Sequence, residues 1–290
     1  MRLSVTKKMK KMPDGLTILA LLLLGLTGCT SLAVHATSTL VPDLTQAFFE
    51  ECDLELARQA LPGELKLMEG LLKNAPQNKE LLTALCMGFT GYAMLFVEDD
   101  NPERASKIYL RARNYGLRGI GLKEMRQQTV QERLKGIGRD EIGPLFWIAM
   151  SWHAWINLNL DEPAALGQLG IAQACLDRVM AIDPNYFFGS PYLITGSMLA
   201  ARPKILGGDA TQARECFSKA MAASDGQFFL APYYYAKYYA VRVQDKALFL
   251  DLIRKVESGQ PDRLREVCLI NTAVQQKARR LKMLADDLFY

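Results

Sequence analysis

Apolar side chains recur at spacings of three and four along most of the chain beyond residue 43, the period of helices that bury one face. The clearest unit runs from Trp147 to Tyr186. In it a small residue, Ala172, is followed by Leu176 and Val179, and Pro184 then stops the helix. A small side chain lets two antiparallel helices approach closely, and the large ones at i+4 and i+7 fill the seam between them. The recipe returns as Ala105, Tyr109, Ala112 and as Ala213, Phe217, Ala220, with Asp225 where the proline would fall. A weaker copy, Glu64, Met68, Leu71, precedes Asn74-Ala75-Pro76 and has a carboxylate where the small residue belongs. The first positions, 64, 105, 172 and 213, are separated by 41, 67 and 41 residues, a period of 41 with 26 further residues in the middle gap.

These units predict tetratricopeptide-like helix pairs, each longer than the usual repeat of about 34 residues. A helix is expected over Leu44–Leu61, broken by Pro62-Gly63, and a second over Glu64–Lys73. Leu81–Phe96 follows, and then a helix capped by Asn101 with Pro102 in its first turn. Between 115 and 143, Gly116, Gly119, Gly121, Gly136, Gly138 and Gly143 read as loop punctuation around one exposed helix, Leu122–Leu134. Leu145–Leu160 holds all three tryptophans, and Tyr186–Ala201 opens the next unit. Asp209 with Gln212 three residues later forms a capping-box variant. An aromatic-rich helix over Phe228–Val243, then Lys246–Glu257, then a charged terminal helix over Arg263–Leu288 complete the chain. The predicted fold is all-α: a superhelical array of about four helix pairs (43–78, 79–114, 144–186, 187–226) with an insertion (115–143) and capping helices (227–290).

The N-terminus changes the picture. Lys7, Lys8, Lys10 and Lys11 precede an 11-residue, mostly apolar run, Leu16–Leu26, too short to span a bilayer comfortably. The run ends in Leu26-Thr27-Gly28-Cys29. Basic segment, short apolar core and small residues before the cut describe an export signal over 1–28. The ending resembles the bacterial lipobox, whose cysteine is acylated, so by that resemblance Cys29 carries the lipid. Residues 29–42 then form a tether in which His35 is a solvated residue. The leader also accounts for the charge. The whole chain is +4, and so is residues 1–28 alone; the remaining 262 residues carry 30 basic and 30 acidic side chains. A neutral mature part removes the global argument for nucleic-acid binding.

Catalytic constellations are missing from the pattern. The two histidines, His35 and His153, have no companion ligands at metal spacing, and His153 is expected in the core or in a groove. Six cysteines contain no Cys-x-x-Cys; with Cys29 acylated, the odd remainder leaves at least one free within the chain. Cys175 and Cys216 hold the same repeat position, as buried small residues do. Paired carboxylates such as Asp99-Asp100 diverge by about 100° on a helix and do not face one substrate. No cofactor and no metal is called for. Aromatic rings remain: Trp152, Trp155, Tyr192, Phe229, Tyr234, Tyr238 and Tyr239 fall on first helices of the pairs, where an aromatic-lined groove would meet a peptide or an apolar ligand.

A lipobox, irregular repeats with long first helices, and the stretch Arg202-Pro203-Lys204-Ile205-Leu206-Gly207-Gly208-Asp209 entering a repeat helix together resemble the TatT family. These are tetratricopeptide-repeat lipoproteins of spirochaete type, associated with tripartite ATP-independent periplasmic (TRAP) transporters. The resemblance covers about Asp43 to the end. It implies a diacylated, palmitate-bearing periplasmic lipoprotein that forms a homotrimer with a pore or cavity in each protomer. It further implies docking to a TRAP-type periplasmic solute-binding protein and passage of an apolar ligand between the two. The other readings are a generic envelope scaffold of the barrel-assembly type and, third, an enzyme acting on cell-wall glycan. The sequence leaves open which membrane holds the anchor.

Overall fold

The computed structural model describes residues 40–122 and 127–289. The export signal, Cys29, His35 and most of the tether lie outside the described residues. The body considered below is the unit Val41–Tyr290. Among the described residues there are helices and turns and no strand.

The helices run in order as α1 (residues 40–49), α2 (Leu54–Asn74), α3 (Lys79–Tyr92), α4 (Pro102–Gly119), α5 (Gln127–Lys135), α6 (Ile142–Asn157), α7 (Pro163–Leu166), α8 (Leu169–Ile182) and α9 (Tyr186–Ala201). They continue as α10 (Ala210–Ala222), α11 (Leu230–Tyr234), α12 (Lys246–Ser258), α13 (Cys268–Met283) and α14 (Ala285–Leu288). Consecutive helices pack in pairs: α3 on α4, α6 on α8, α9 on α10, and α12 on the segment after α11. The seam residues do what their spacing requires. Ala105, Tyr109, Ala112, Ala172, Leu176, Val179, Ala213, Phe217 and Ala220 are all fully buried. At about 1.5–3 kcal/mol for each large apolar side chain taken out of water, this seam outweighs local propensity.

That balance explains the first departure from expectation. Pro62-Gly63 does not break the chain; α2 runs unbroken through both for 21 residues. The proline forfeits a backbone hydrogen bond, but Leu61, Leu65, Met68 and Leu72 form one buried stripe that holds the helix together. The real boundary lies earlier, at Asp53, whose carboxylate accepts the N–H groups of Glu55 and Leu56. Gly116 and Gly119 likewise sit inside α4 and not in a loop. A Cβ at Gly116 would lie 2.4 Å from Ile148 Cγ1, so α4 and α6 approach as closely as a glycine allows. The inserted helix, described over Gln127–Lys135, is not wholly exposed: Val130 and Leu134 are buried, and α5 packs on α8.

Further along, regular helix in α9 begins only after Phe187, Phe188 and Gly189, which take left-handed backbone angles. The turn at 202–209 is as tight as its glycines suggest: a Cβ on Gly208 would fall 1.9 Å from the Arg202 carbonyl oxygen. Asp209 caps α10 through the Gln212 N–H as expected, but the reciprocal bond of a capping box is not made: the Gln212 side-chain amide donates to the Asp209 carboxylate, and the Asp209 N–H goes to the Leu199 carbonyl. The terminal helix begins at Cys268, later than the expected Arg263, because two short 3-10 turns fill 261–267. α13 packs on α12 and also reaches α2. A disulfide between Cys52 and Cys268 pins its start to the residue before the Asp53 cap, across 216 residues of chain. Cys86, Cys175 and Cys216 are free.

Candidate functional site

Two helices widen into π turns. α3 continues as π1 (Ala93–Val97), where the Glu98 N–H reaches back five residues to the Ala93 carbonyl. α11 continues as π2 (Tyr235–Ala240), where the Val241 N–H does the same to Ala236. Single π turns inside helices occur often at functional sites, because the extra residue re-aims its neighbours. Here both turns border one cavity of about 200 Å³. Its walls come from four helices: Glu98 closes π1, α6 supplies Met150, His153, Ala154 and Asn157, α9 supplies Ile194 and Ser197, and α11 with π2 supplies Tyr234, Lys237 and Tyr238. Each is the first helix of its pair.

Charge is organised around Lys237. Its ammonium lies 3.3 Å from Glu98 and 3.8 Å from Asp99. The Tyr109 hydroxyl donates to the other oxygen of Glu98 at 2.6 Å. Lys277, buried on α13, donates to the Met94 carbonyl inside π1 at 2.7 Å and pairs with Asp99 at 2.7 Å. Burial opposes the positive charge on Lys237, but the carboxylates of Glu98 and Asp99 outweigh it and hold its pKa well above the ordinary range. Burial pushes the phenols of Tyr234 and Tyr238 up, so both present neutral hydroxyls.

His153 is the odd group in the wall. Its Nε2 pairs with the Ala172 carbonyl at 3.1 Å, which makes Nε2 the donor and leaves Nδ1 a lone-pair acceptor. Nδ1 is buried without a partner. Burial, reinforced by the charge of Arg202, lowers the His153 pKa to about 3, so the ring is neutral. Polar groups of both kinds therefore face a cavity whose remaining surface is Met150, Ala154, Leu158 and Ile194.

The aromatic residues singled out from the sequence divide. Tyr234 and Tyr238 line the cavity. Trp152 and Trp155 are buried in the core, and their rings stack on the Arg113 guanidinium at 4.9 and 5.7 Å. Gln168 accepts from both Arg113 and Trp152 there, at 2.7 and 3.0 Å. Phe229 is core as well, its N–H donated to Asn271 at 2.9 Å. Tyr192 is partly buried under Lys219, and Tyr239 lies against Tyr235. Glu98 and Lys237 were not visible as partners in the sequence, since 139 residues separate them.

A second pocket, of about 60 Å³, opens between α1, α2 and α3 and is closed by Leu269 and Ile270 of α13. Its surface is almost wholly apolar, with Phe48, Phe49, Leu65, Met68, Met87 and Trp147 in it. The one titratable side chain in it is Glu64. Both carboxyl oxygens are buried without a hydrogen-bond partner, and burial pushes the group up to about 7. The carboxylate that broke the repeat pattern therefore lies against this pocket. Lys79–Val97, which forms one pocket wall, is long and apolar enough to cross a membrane, yet 67% of that stretch is buried by the rest of the chain, as in a core helix. No group of three or more metal-ligating side chains occurs among the described residues.

The family described as TRAP transporter T-component matches residues 50–289, nearly all of the described body. A protein of Treponema pallidum (strain Nichols), described only as uncharacterized, is 25% identical over 273 residues, covering 85% of this chain and 84% of its own length.

Proposed function

The chain belongs to the TRAP transporter T-component family, and from that membership we propose that it is the lipid-anchored scaffold of such a transport system in the bacterial envelope. In this reading Cys29 holds the mature chain to a membrane through acyl groups, and residues 29–42 give it reach. The helix pairs form a tetratricopeptide-like array of three protomers that docks a periplasmic TRAP-type solute-binding protein. The 200 Å³ cavity receives a largely apolar ligand with a small polar end.

The observation that carries the reading is the convergence of four first helices on one cavity. Apolar walls would take the body of a ligand, while Asn157, Ser197 and the two tyrosines would meet its polar end. The disulfide supports an oxidising compartment, where such bonds persist. The family is a transport component and not a known enzyme family, which leaves the cell-wall-enzyme reading without support.

The test is association. The acylated chain is mixed with the solute-binding protein of a neighbouring TRAP operon, and co-elution is followed with and without Ala154→Trp, which would fill the cavity. Binding in both, with a ligand recovered only from the unsubstituted chain, is the expected result. No association at micromolar concentrations would remove the proposal.

A further inference from the structure

Glu64 is a carboxyl group in the wrong place. Its position in the repeat pattern is that of Ala105, Ala172 and Ala213, all fully buried helix contacts. An acidic side chain there loses the close contact and leaves two buried oxygens that no protein group satisfies. Leaving a buried polar group unpaired is costly, and more so once it is charged. Glu64 is also the one titratable side chain among the residues that line its pocket, and Thr45 and Trp147 are the only others with a polar side-chain atom. The protein thus offers an acceptor that no side chain of the lining hydrogen-bonds.

An ionised carboxylate only accepts hydrogen bonds, so its complement carries N–H groups and, to cancel the charge, a positive one. The rest of the pocket accepts aliphatic carbon. Met68, Met87 and Met94 line it, and unbranched methionine side chains can move aside to lengthen the space. We propose that this pocket is a binding site for a small aliphatic primary amine, with the ammonium on Glu64 and the alkyl chain between Leu65, Met87 and Leu269. The site is separate from the 200 Å³ cavity and does not depend on docking to a solute-binding protein.

The placement of Glu64 near neutrality adds a sign. An ammonium favours the ionised carboxyl, so amine binding releases a proton from the fraction of molecules in which Glu64 is protonated, and it weakens as pH falls below about 7.

The experiment titrates the full chain with n-hexylamine, n-hexanol and hexanoate by calorimetry at pH 8 and pH 5.5, in two buffers of different ionisation enthalpy. Hexylamine should bind tightest at pH 8 and lose affinity at pH 5.5. Glu64→Gln should weaken hexylamine by about tenfold or more while leaving hexanol nearly unchanged. Gly91 lines the same pocket, and a Cβ there would meet nothing within 4 Å, so Gly91→Leu should narrow the space and weaken both amine and alcohol. Hexylamine bound no tighter than hexanol, or unaffected by Glu64→Gln in a chain of unchanged helicity, would overturn the assignment. So would full binding in Gly91→Leu.

Discussion

Lys237 Nζ sits 3.3 Å from Glu98 Oε1; Lys237 lies within π2, and Glu98 is the residue that directly follows π1. The pair therefore links the end of α3 to a helix more than a hundred residues later and sets one edge of the cavity. Both side chains are mostly buried, 25% and 10% exposed, so neither charge is fully solvated when the other is removed. Lys237→Met or Glu98→Gln alone should each cost about 1–3 kcal/mol in urea unfolding. The double substitution should cost less than the sum, because no lone charge remains. Strict additivity would mean that the two groups do not sense each other.

The disulfide closes the longest loop in the described chain, 216 residues, and so removes much freedom from the unfolded state. Cys52→Ser or Cys268→Ser should lower unfolding free energy by about 2–5 kcal/mol, and reductant should have the same effect on the unsubstituted chain. The double serine variant should be insensitive to reductant. Equal midpoints with and without dithiothreitol would show that the bond contributes nothing.

Much of the helical order was legible because seam positions obey a rule that acts locally: Ala172, Leu176 and Val179 are four and three apart on one face whatever surrounds them. The boundaries that failed were those decided by distant contacts. Pro62-Gly63 reads as a stop, but the buried stripe from Leu61 to Leu72 carries the helix across it. Gly116 reads as a loop residue until the Ile148 side chain is brought beside it. For the site, Tyr234 and Tyr238 were recognisable from aromatic density, whereas Trp152 and Trp155 have the same appearance in sequence and are recruited by Arg113 instead. Glu64 did carry a signal, a carboxylate at a position that otherwise holds alanine. The Cys52–Cys268 pairing carried none, since nothing in cysteine spacing selects one partner over another.

Stability should depend on pH through Glu64 in a direction opposite to most carboxyl groups. Its folded pKa is raised to about 7, above the unfolded value near 4.5. The unfolded chain therefore loses its proton first, and the stabilisation present below about pH 4.5 is lost as pH rises through about 7. Because other carboxylates titrate too, the quantity to measure is the difference between the unsubstituted chain and Glu64→Gln. That difference should move in favour of Glu64→Gln by on the order of 1–2 kcal/mol between pH 4.5 and pH 8, allowing for a side chain only partly removed from water. A constant difference across that range would show that Glu64 has the same pKa in the folded and unfolded chain.

Gly116 gives the sharpest test of how closely the helix pairs pack. It lies in the last turn of α4, where glycine weakens the helix by up to about 1 kcal/mol relative to alanine. A helix keeps such a residue where the neighbour leaves no room, and a Cβ here would sit 2.4 Å from Ile148 Cγ1 and 2.8 Å from Cys86 Sγ. Both neighbours are fully buried, on α6 and α3, so neither can swing into solvent. Gly116→Ala sets the gain in helix propensity against this overlap, and the overlap should win by about 1–3 kcal/mol. Adding Ile148→Ala removes Cγ1 from the crowded side and should recover part of the loss, although the same change alone costs about 2–5 kcal/mol. Urea unfolding of the four chains in this cycle measures both effects. A stabilised Gly116→Ala would mean that α4 and α6 stand farther apart than their side chains place them.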